Sequence, residues 1–143
     1  MQVERGWEKI ACASKAYKPA RADSGSTTPQ IDGWNDISWK APGGGLAVTA
    51  VDYAHYCSAL LASALTGEDR DSVLWAPTAR RRTYAKGFHR KRTDAGVLTV
   101  YHSGSQQGAR TGLQIHPEEN RCFIALTNTT TANGLALARG MAA

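Results

Sequence analysis

The sequence has no apolar run long enough to cross a membrane, and its first residues, Met1 to Trp7, lack the apolar core that a secretory signal needs. We therefore expect no membrane span and read no export signal in this chain. With 42% hydrophobic and 20% charged residues, the composition is that of an ordinary folded domain, which excludes a disordered or fibrous chain.

Cysteine is scarce as well. The three cysteines, Cys12, Cys57 and Cys122, are odd in number and include no Cys-x-x-Cys pair. This pattern argues against a zinc site and against a disulfide framework. We expect buried or incidental thiols, with no pair bonded.

Negative charge is in deficit, and the net charge of +5 is concentrated in one stretch. Seven of the seventeen Lys and Arg residues fall within thirteen positions: Arg80, Arg81, Arg82, Lys86, Arg90, Lys91 and Arg92. Such a cluster can meet phosphates or an acidic surface, so a basic-patch anion binder stays an alternative. No aromatic stacking platform or nucleic-acid motif accompanies it. We interpret the stretch as a solvated basic hairpin and expect no nucleic-acid partner.

A boundary is predicted near residue 40. Residues 1–40 alternate polar and small residues with Pro19, Gly25 and Pro29, which is typical of an irregular connecting segment. Such a segment is long for a loop without secondary structure inside a compact domain. We therefore expect the beginning of a larger fold to lie outside this sequence, with residues 41–143 forming its C-terminal part.

Beyond residue 40 the pattern becomes regular. Helical spacing predicts a helix from about Ala50 to Ala64, with Thr49 as N-cap and Gly67 as stop, and a short helix from about Gly134 to Ala142. Four strands are predicted, at Thr83–Phe88, Val97–Tyr101, Thr111–His116 and Arg121–Thr127. The first two form a hairpin, and the apolar run of the fourth predicts a central strand covered on both faces. The expected fold class is α/β of the α+β type, an antiparallel sheet with flanking helices.

The segment Tyr101-His102-Ser103-Gly104-Ser105 stands at the end of an apolar strand. By itself the tripeptide His-Ser-Gly carries no signal, and the simplest interpretation of His102 is a half-buried side chain that bonds to backbone. Two flanking segments change this interpretation. A glycine-rich run, Gly43 to Gly45, leads into the Thr-capped helix, and Leu126-Thr127-Asn128 ends the last strand.

Taken together and in this order, the three segments resemble the serine β-lactamase and penicillin-binding-protein family, in its class C-like branch with D,D-peptidases and esterases. His102-Ser103-Gly104 resembles the variant of the family's Lys-Thr-Gly element in which His replaces Lys. The resemblance covers residues 40–143 and implies the C-terminal part of a β-lactamase-like fold. It implies a serine hydrolase that acts through an acyl-serine on an ester, amide or β-lactam. The substrate would be a small-molecule or peptide-like acyl compound, and no metal or organic cofactor is implied.

The resemblance also implies roles for the residues of this element. The backbone N–H of Ser105 would donate to the oxyanion, and Gly104 would let substrate lie against the strand edge. His102 would supply an imidazole and Ser103 a hydroxyl to the site. Beside them, Arg110 is a candidate contact for an anionic substrate. The other histidines, His55, His89 and His116, are interpreted as surface or strand-face residues. Trp34 and Trp39 precede the glycine run and could line the cleft, but we interpret them as packing residues.

Two parts of the family's machinery have no counterpart in the 143 residues. No Ser-x-x-Lys occurs, because Ser14 and Lys18 are one residue too far apart and Thr83 with Lys86 falls on a predicted strand. Tyr-x-Asn is absent too. We therefore expect a C-terminal fragment that is inactive by itself. A non-catalytic homologue that keeps the cleft for ligand binding stays an alternative.

Overall fold

The computed structural model describes residues 2–3, 14–20, 25, 28–31, 37–67 and 70–143. Four two-residue strands come first, β1 (Gln2–Val3), β2 (Tyr17–Lys18), β3 (Gln30–Ile31) and β4 (Leu46–Ala47). The helices are α1 (Ala50–Leu61), α2 (Arg70–Val73) and α3 (Gly134–Met141). The longer strands are β5 (His89–Arg92), β6 (Leu98–Gln106), β7 (Ala109–His116) and β8 (Arg121–Thr127). Within the described part, β1 pairs with β4 and β2 with β3, both antiparallel.

The main sheet is antiparallel, with the strands in the spatial order β5-β6-β7-β8. Each strand therefore pairs with its neighbour in sequence. The register places Val100 opposite Ile115, which in turn lies opposite Cys122. A two-residue loop joins β6 to β7, with Gly108 at φ +69°, a backbone conformation that glycine adopts without strain. The predicted α+β class, an antiparallel sheet with flanking helices, is confirmed.

One helix covers each face of this sheet. The hydrophobic core lies on the α1 face, where Cys57 and Leu60 pack with Val100, Leu113 and Ile115. Successive residues of a strand point to opposite faces, so Gly112 belongs to the other face. There it meets the first residue of α3, Gly134, backbone to backbone.

The first long helix begins where the sequence predicts, at Ala50. Thr49 is in an extended conformation, and its hydroxyl accepts a hydrogen bond from the Asp52 backbone N–H at 3.1 Å, which is the N-cap arrangement. The helix ends at Leu61, three residues before the predicted end, and Ser63 then takes a left-handed conformation with φ +58°. The predicted stop at Gly67 closes the turn that follows, because its N–H donates to the Ser63 carbonyl at 2.7 Å.

The first predicted strand was wrong. Residues 83–88 form a tight turn, in which the Ala85 N–H donates to the Phe88 carbonyl at 2.7 Å and Gly87 has φ +82°. The strand that pairs with β6 is instead β5, the end of the basic stretch. Lys and Arg suit an edge strand, since their solvated charges deter pairing with another chain.

The other strands follow the prediction more closely. Strand β8 has the predicted bounds, and β7 begins two residues earlier than expected. Strand β6 continues through Gln106, so the element His102 to Ser105 lies inside the strand rather than after it. In the described part of the chain β8 is an edge strand of the sheet, so the central position predicted for it was wrong, while α1 and α3 contact it on its two faces. None of the described helices is long and apolar enough to span a membrane.

Candidate functional site

A cavity of about 390 Å³ lies at the end of the β6–β7 hairpin. It is lined by Gly43 and Gly44, by Ser103 to Ser105, and by Asn128. These residues come from the glycine-rich run, from the His-Ser-Gly element and from the end of the last strand. The fold therefore brings three segments that are far apart in the sequence to one concave surface.

The glycines of the run serve different purposes. Gly44 has φ +125°, a backbone conformation open to glycine alone, and it faces open space on the cavity side. Gly45 is buried, and a β-carbon there would lie 2.7 Å from the Ile37 carbonyl oxygen and 2.8 Å from the Ala41 Cα. The end of the glycine run thus packs closely against the residues around the short 3-10 turn Ser38–Gly43. This contact holds the cavity wall in place.

The β6 edge that faces away from β7 is open along the His-Ser-Gly element. Strand β5 pairs with β6 only as far as Tyr101, and no described strand continues along this edge. The two-residue loop closes on the hydrogen-bonded pair of Gln106 and Ala109, and such pairs alternate along antiparallel strands. Ser105 precedes Gln106 by one residue in β6 and therefore directs its N–H and C=O away from β7. The Arg110 carbonyl, opposite Ser105, agrees with this alternation, since it accepts from Thr127 Oγ1 on the β8 side at 2.9 Å.

The packing between β6 and β7 explains why position 104 is a glycine. A β-carbon at this position would collide with Thr111 Oγ1, which sits directly across on β7. Thr111 also lines the cavity. Glycine thus lets a cross-strand hydroxyl approach the β6 backbone.

His102 is next to the cavity in sequence but does not line it. Its side chain points to the α1 face of the sheet, as do those of Val100 and of its cross-strand partner Leu113. There its Nε2 atom lies 3.5 Å from the Tyr84 hydroxyl. The cavity thus gathers Ser103, Gly104 and Ser105, while the imidazole occupies a neighbouring position.

The His102 ring belongs to a cluster of four rings. His89 stacks on His102, with centroids 5.6 Å apart, and also on Tyr101, with centroids 5.3 Å apart. Tyr84 meets His89 edge to face at 4.7 Å. The Arg139 guanidinium of α3 lies 4.9 Å from the Tyr101 ring, within the range of a cation–π interaction. We call His102, His89, Tyr84 and Tyr101 the ring cluster.

Tyr84 and His89 are the residues near the site that the sequence did not indicate as functional. They approach His102 only because β5 pairs with β6 in the register that sets His89 opposite Tyr101. The turn before β5 then brings Tyr84 beside His89, where an isolated bridge joins the two residues. In the sequence, only the register in which β5 pairs with β6 could have indicated that Tyr84 and His89 lie close to His102.

Two cationic side chains hold the end of the β6–β7 hairpin. Lys40 Nζ donates to Gln106 Oε1 at 2.9 Å. The Arg110 guanidinium donates to the carbonyls of Gln106 and Ala109, each at 2.7 Å. Arg110, a candidate substrate contact in the sequence, is thus engaged with the hairpin backbone.

Trp39 does not pack as predicted, since 80% of its surface is exposed. Trp34 lies outside the described residues.

The described residues contain no group of three or more His, Cys, Asp or Glu side chains placed to hold a metal ion. The cavity lining includes serine, threonine and asparagine residues, and the His102 imidazole lies beside the cavity. Groups of this kind bind and polarise a carbonyl compound.

Fold and site together define an α+β protein with a ligand-sized cavity against the open edge of a sheet strand. The chain belongs to the Beta-lactamase family, whose family model matches residues 4–143. The match extends well before residue 40, beyond the residues that the sequence resemblance covers. A search of curated proteins found no match. The family to which the chain belongs is one of hydrolases.

Proposed function

We propose that residues Ser103 to Ser105 form one wall of an acyl-serine site that acts on an ester, amide or β-lactam carbonyl. The observation that carries the proposal is the meeting of three family-like segments at one cavity of about 390 Å³, beside the open edge of β6. The Ser105 N–H is the oxyanion donor. Ser103 offers a hydroxyl at the same wall, and His102 offers an imidazole at its rim.

Acyl transfer passes through a tetrahedral intermediate with a negative oxygen, and a fixed N–H at that oxygen lowers the barrier. A backbone donor on a strand needs little reorganisation, because the β6–β7 ladder already holds it in place. In other enzymes the loss of one such donor costs about 3 kcal/mol of transition-state stabilisation. Ser105 is suited to this role because its N–H is not used in the ladder with β7.

The nucleophile is not among the 143 residues in the family's Ser-x-x-Lys form. We propose that a segment outside these residues supplies it, together with the second oxyanion donor. The chain alone is then expected to bind an acyl ligand weakly and to form no covalent adduct with it.

The test is an amide NMR titration of the 143-residue chain with benzylpenicillin and with a short peptide that ends in a free carboxylate. The expected result is a saturable shift of the Ser105 amide and of the neighbouring Ser103 and Gly44 amides at about millimolar ligand, the range of weak binding. Ser105→Pro removes the proposed donor together with the serine hydroxyl, and proline is tolerated there because this N–H faces the open edge. Ser105→Ala keeps the N–H and is the matched control.

Binding is expected to survive in Ser105→Ala and to weaken about fivefold in Ser105→Pro, since one ordinary hydrogen bond to a ground-state carbonyl contributes about 1 kcal/mol. Equal affinities in the two variants would remove the oxyanion role from Ser105. Shifts confined to the basic stretch around Arg80 to Arg92 would replace the acyl site by an anion-binding surface. A fluorescent penicillin or fluorophosphonate that labels Ser103 or Ser105 only in the folded chain would make one of them the nucleophile.

A further inference from the structure

We propose that Tyr84 is a positioning residue for His102: its hydroxyl donates a hydrogen bond to Nε2 and fixes the neutral imidazole in the form that carries its proton on Nδ1. This assignment rests on the proposed function only in that His102 belongs to the acyl-transfer site. The hydrogen bond itself is a property of the folded chain, so it can be tested without substrate.

Tyr84 is held at both its backbone and its ring. Its carbonyl accepts from the Thr78 N–H at 3.1 Å. The residues that follow, Ala85 and Phe88, are buried and hydrogen-bonded to each other at 2.7 Å. The Tyr84 ring stands edge-on to His89, at 86° between the planes. A side chain fixed in this way presents its hydroxyl in one direction.

His102 is held in a similar way. Its backbone is paired with Leu113 in the β6–β7 ladder, and its ring stacks on the His89 ring at 30° between the planes. The distance of 3.5 Å between Nε2 and the Tyr84 hydroxyl is long for a hydrogen bond.

The direction of the bond follows from basicity. A neutral imidazole has one nitrogen that donates and one that accepts, and the hydrogen bond made by one nitrogen selects the role of the other. Imidazole is a far stronger base than a phenol oxygen, so the phenol donates and Nε2 accepts. The proton then sits on Nδ1. Tyr84 thereby makes His102 a donor on the side of the ring opposite to the phenol.

The test measures the tautomer of His102 by long-range ¹H–¹⁵N correlation of the 143-residue chain at about pH 8, above the ordinary titration range of histidine. The wild type is expected to show the proton mainly on Nδ1. Tyr84→Phe removes the hydroxyl and keeps the ring, and the ratio of the two tautomers is expected to change about fivefold toward Nε2–H, the effect of one ordinary hydrogen bond. Tyr56→Phe, on α1, is the matched control and is expected to change nothing.

A second variant covers the case in which Tyr84→Phe does not fold. A tyrosine with one ring fluorine at position 84 has a more acidic hydroxyl and, at a pH where that hydroxyl is still protonated, is expected to move the ratio further toward Nδ1–H. A wild type with its proton on Nε2 would overturn the proposal, as would a ratio that neither change moves. The ligand titration separates this proposal from the function of the site. Loss of ligand shifts with an intact Nδ1–H signature leaves the Tyr84 contact in place and defeats only the acyl-transfer role.

Discussion

Gly112 of β7 and Gly134 at the start of α3 touch backbone to backbone. A β-carbon on Gly112 would lie 2.5 Å from the Leu135 nitrogen and closer still to the Gly134 carbonyl. A β-carbon on Gly134 would lie 2.7 Å from the Thr111 carbonyl oxygen. Both positions oppose main chain rather than a flexible side chain. The pair therefore sets how closely α3 approaches the sheet behind the cavity.

Gly112→Ala is expected to be strongly destabilising, because the added methyl forces α3 away from β7. Overpacking of this kind costs about 3 kcal/mol, which lowers Tm by roughly 10 °C in a chain of this size. Gly134→Ala is expected to behave in the same way. Thermal unfolding followed by circular dichroism measures both.

Gly140→Ala is the matched control in the same helix. A β-carbon there meets nothing within 4 Å, so the change is expected to be neutral or slightly stabilising, because alanine has a higher helix propensity than glycine. If Gly112→Ala and Gly140→Ala had the same Tm, the close approach of α3 to β7 would be refuted.

Thr49→Ala is expected to lower the free energy of unfolding by about 1 kcal/mol, because the Asp52 N–H at the start of α1 loses its side-chain acceptor. Thr49→Ser keeps the acceptor oxygen and is expected to stay close to the wild type. Urea denaturation measures the three proteins. Equal losses for alanine and serine would mean that the threonine methyl, and not the cap, stabilises this position.

The two longer helices, α1 and α3, and the last two strands were predictable because their signals are local. The cap at Thr49 and the turn at Pro117 to Asn120 are each encoded within a few residues. Strand β5 was missed for the opposite reason. Its charges resemble a loop, while the apolar side chains of Tyr84 and Phe88 resemble a strand and in fact belong to a tight turn. Edge strands and buried turns invert the usual link between polarity and secondary structure.

The neighbourhood of the cavity-lining segments was predictable in part. Ser103 to Ser105 and the glycine run both belong to the segments that carry the resemblance, and in the fold both line one cavity. The direction of His102 was not predictable, because it depends on the parity of the residue within a strand whose end was placed too early. Nor was its partner Tyr84, whose position depends on the pairing of β5 with β6.

Alkaline pH is expected to destabilise the fold through Tyr53. Burial, assisted by the neighbouring Cys57 thiol, raises the pKa of Tyr53 to about 12 from its ordinary value of 10.0. The native state therefore keeps a proton that the unfolded chain releases, so the stabilising contribution is complete below pH 10.0 and is lost as the pH rises toward 12. Tyr53→Phe is expected to flatten this part of the curve of unfolding free energy against pH. An unchanged slope would contradict the burial of the phenol.

Cys57 on α1 and Cys122 on β8 meet in the core as free thiols. The hydrogen bond from the Cys122 thiol lowers the pKa of Cys57, against the effect of burial. The same bond, together with burial, raises the pKa of Cys122. Only a thiolate reacts with an alkylating reagent, so each cysteine is protected for a different reason: Cys57 by its burial, with 1% of its surface exposed, and Cys122 by its bound proton.

Iodoacetamide at about pH 8, near the pKa of an ordinary thiol, is therefore expected to label both cysteines slowly in the folded chain and rapidly in urea, as measured by peptide mass mapping. Cys57→Ala removes the acceptor, so the pKa of Cys122 falls and its labelling is expected to speed up, since a lower pKa increases the thiolate fraction. Cys57→Ser keeps an acceptor oxygen of similar size and is expected to speed it up less. Circular dichroism of both variants checks that the fold is intact. Fast labelling of Cys122 in the wild type, or a peptide mass two hydrogens lower that joins the two cysteines, would contradict the shared proton.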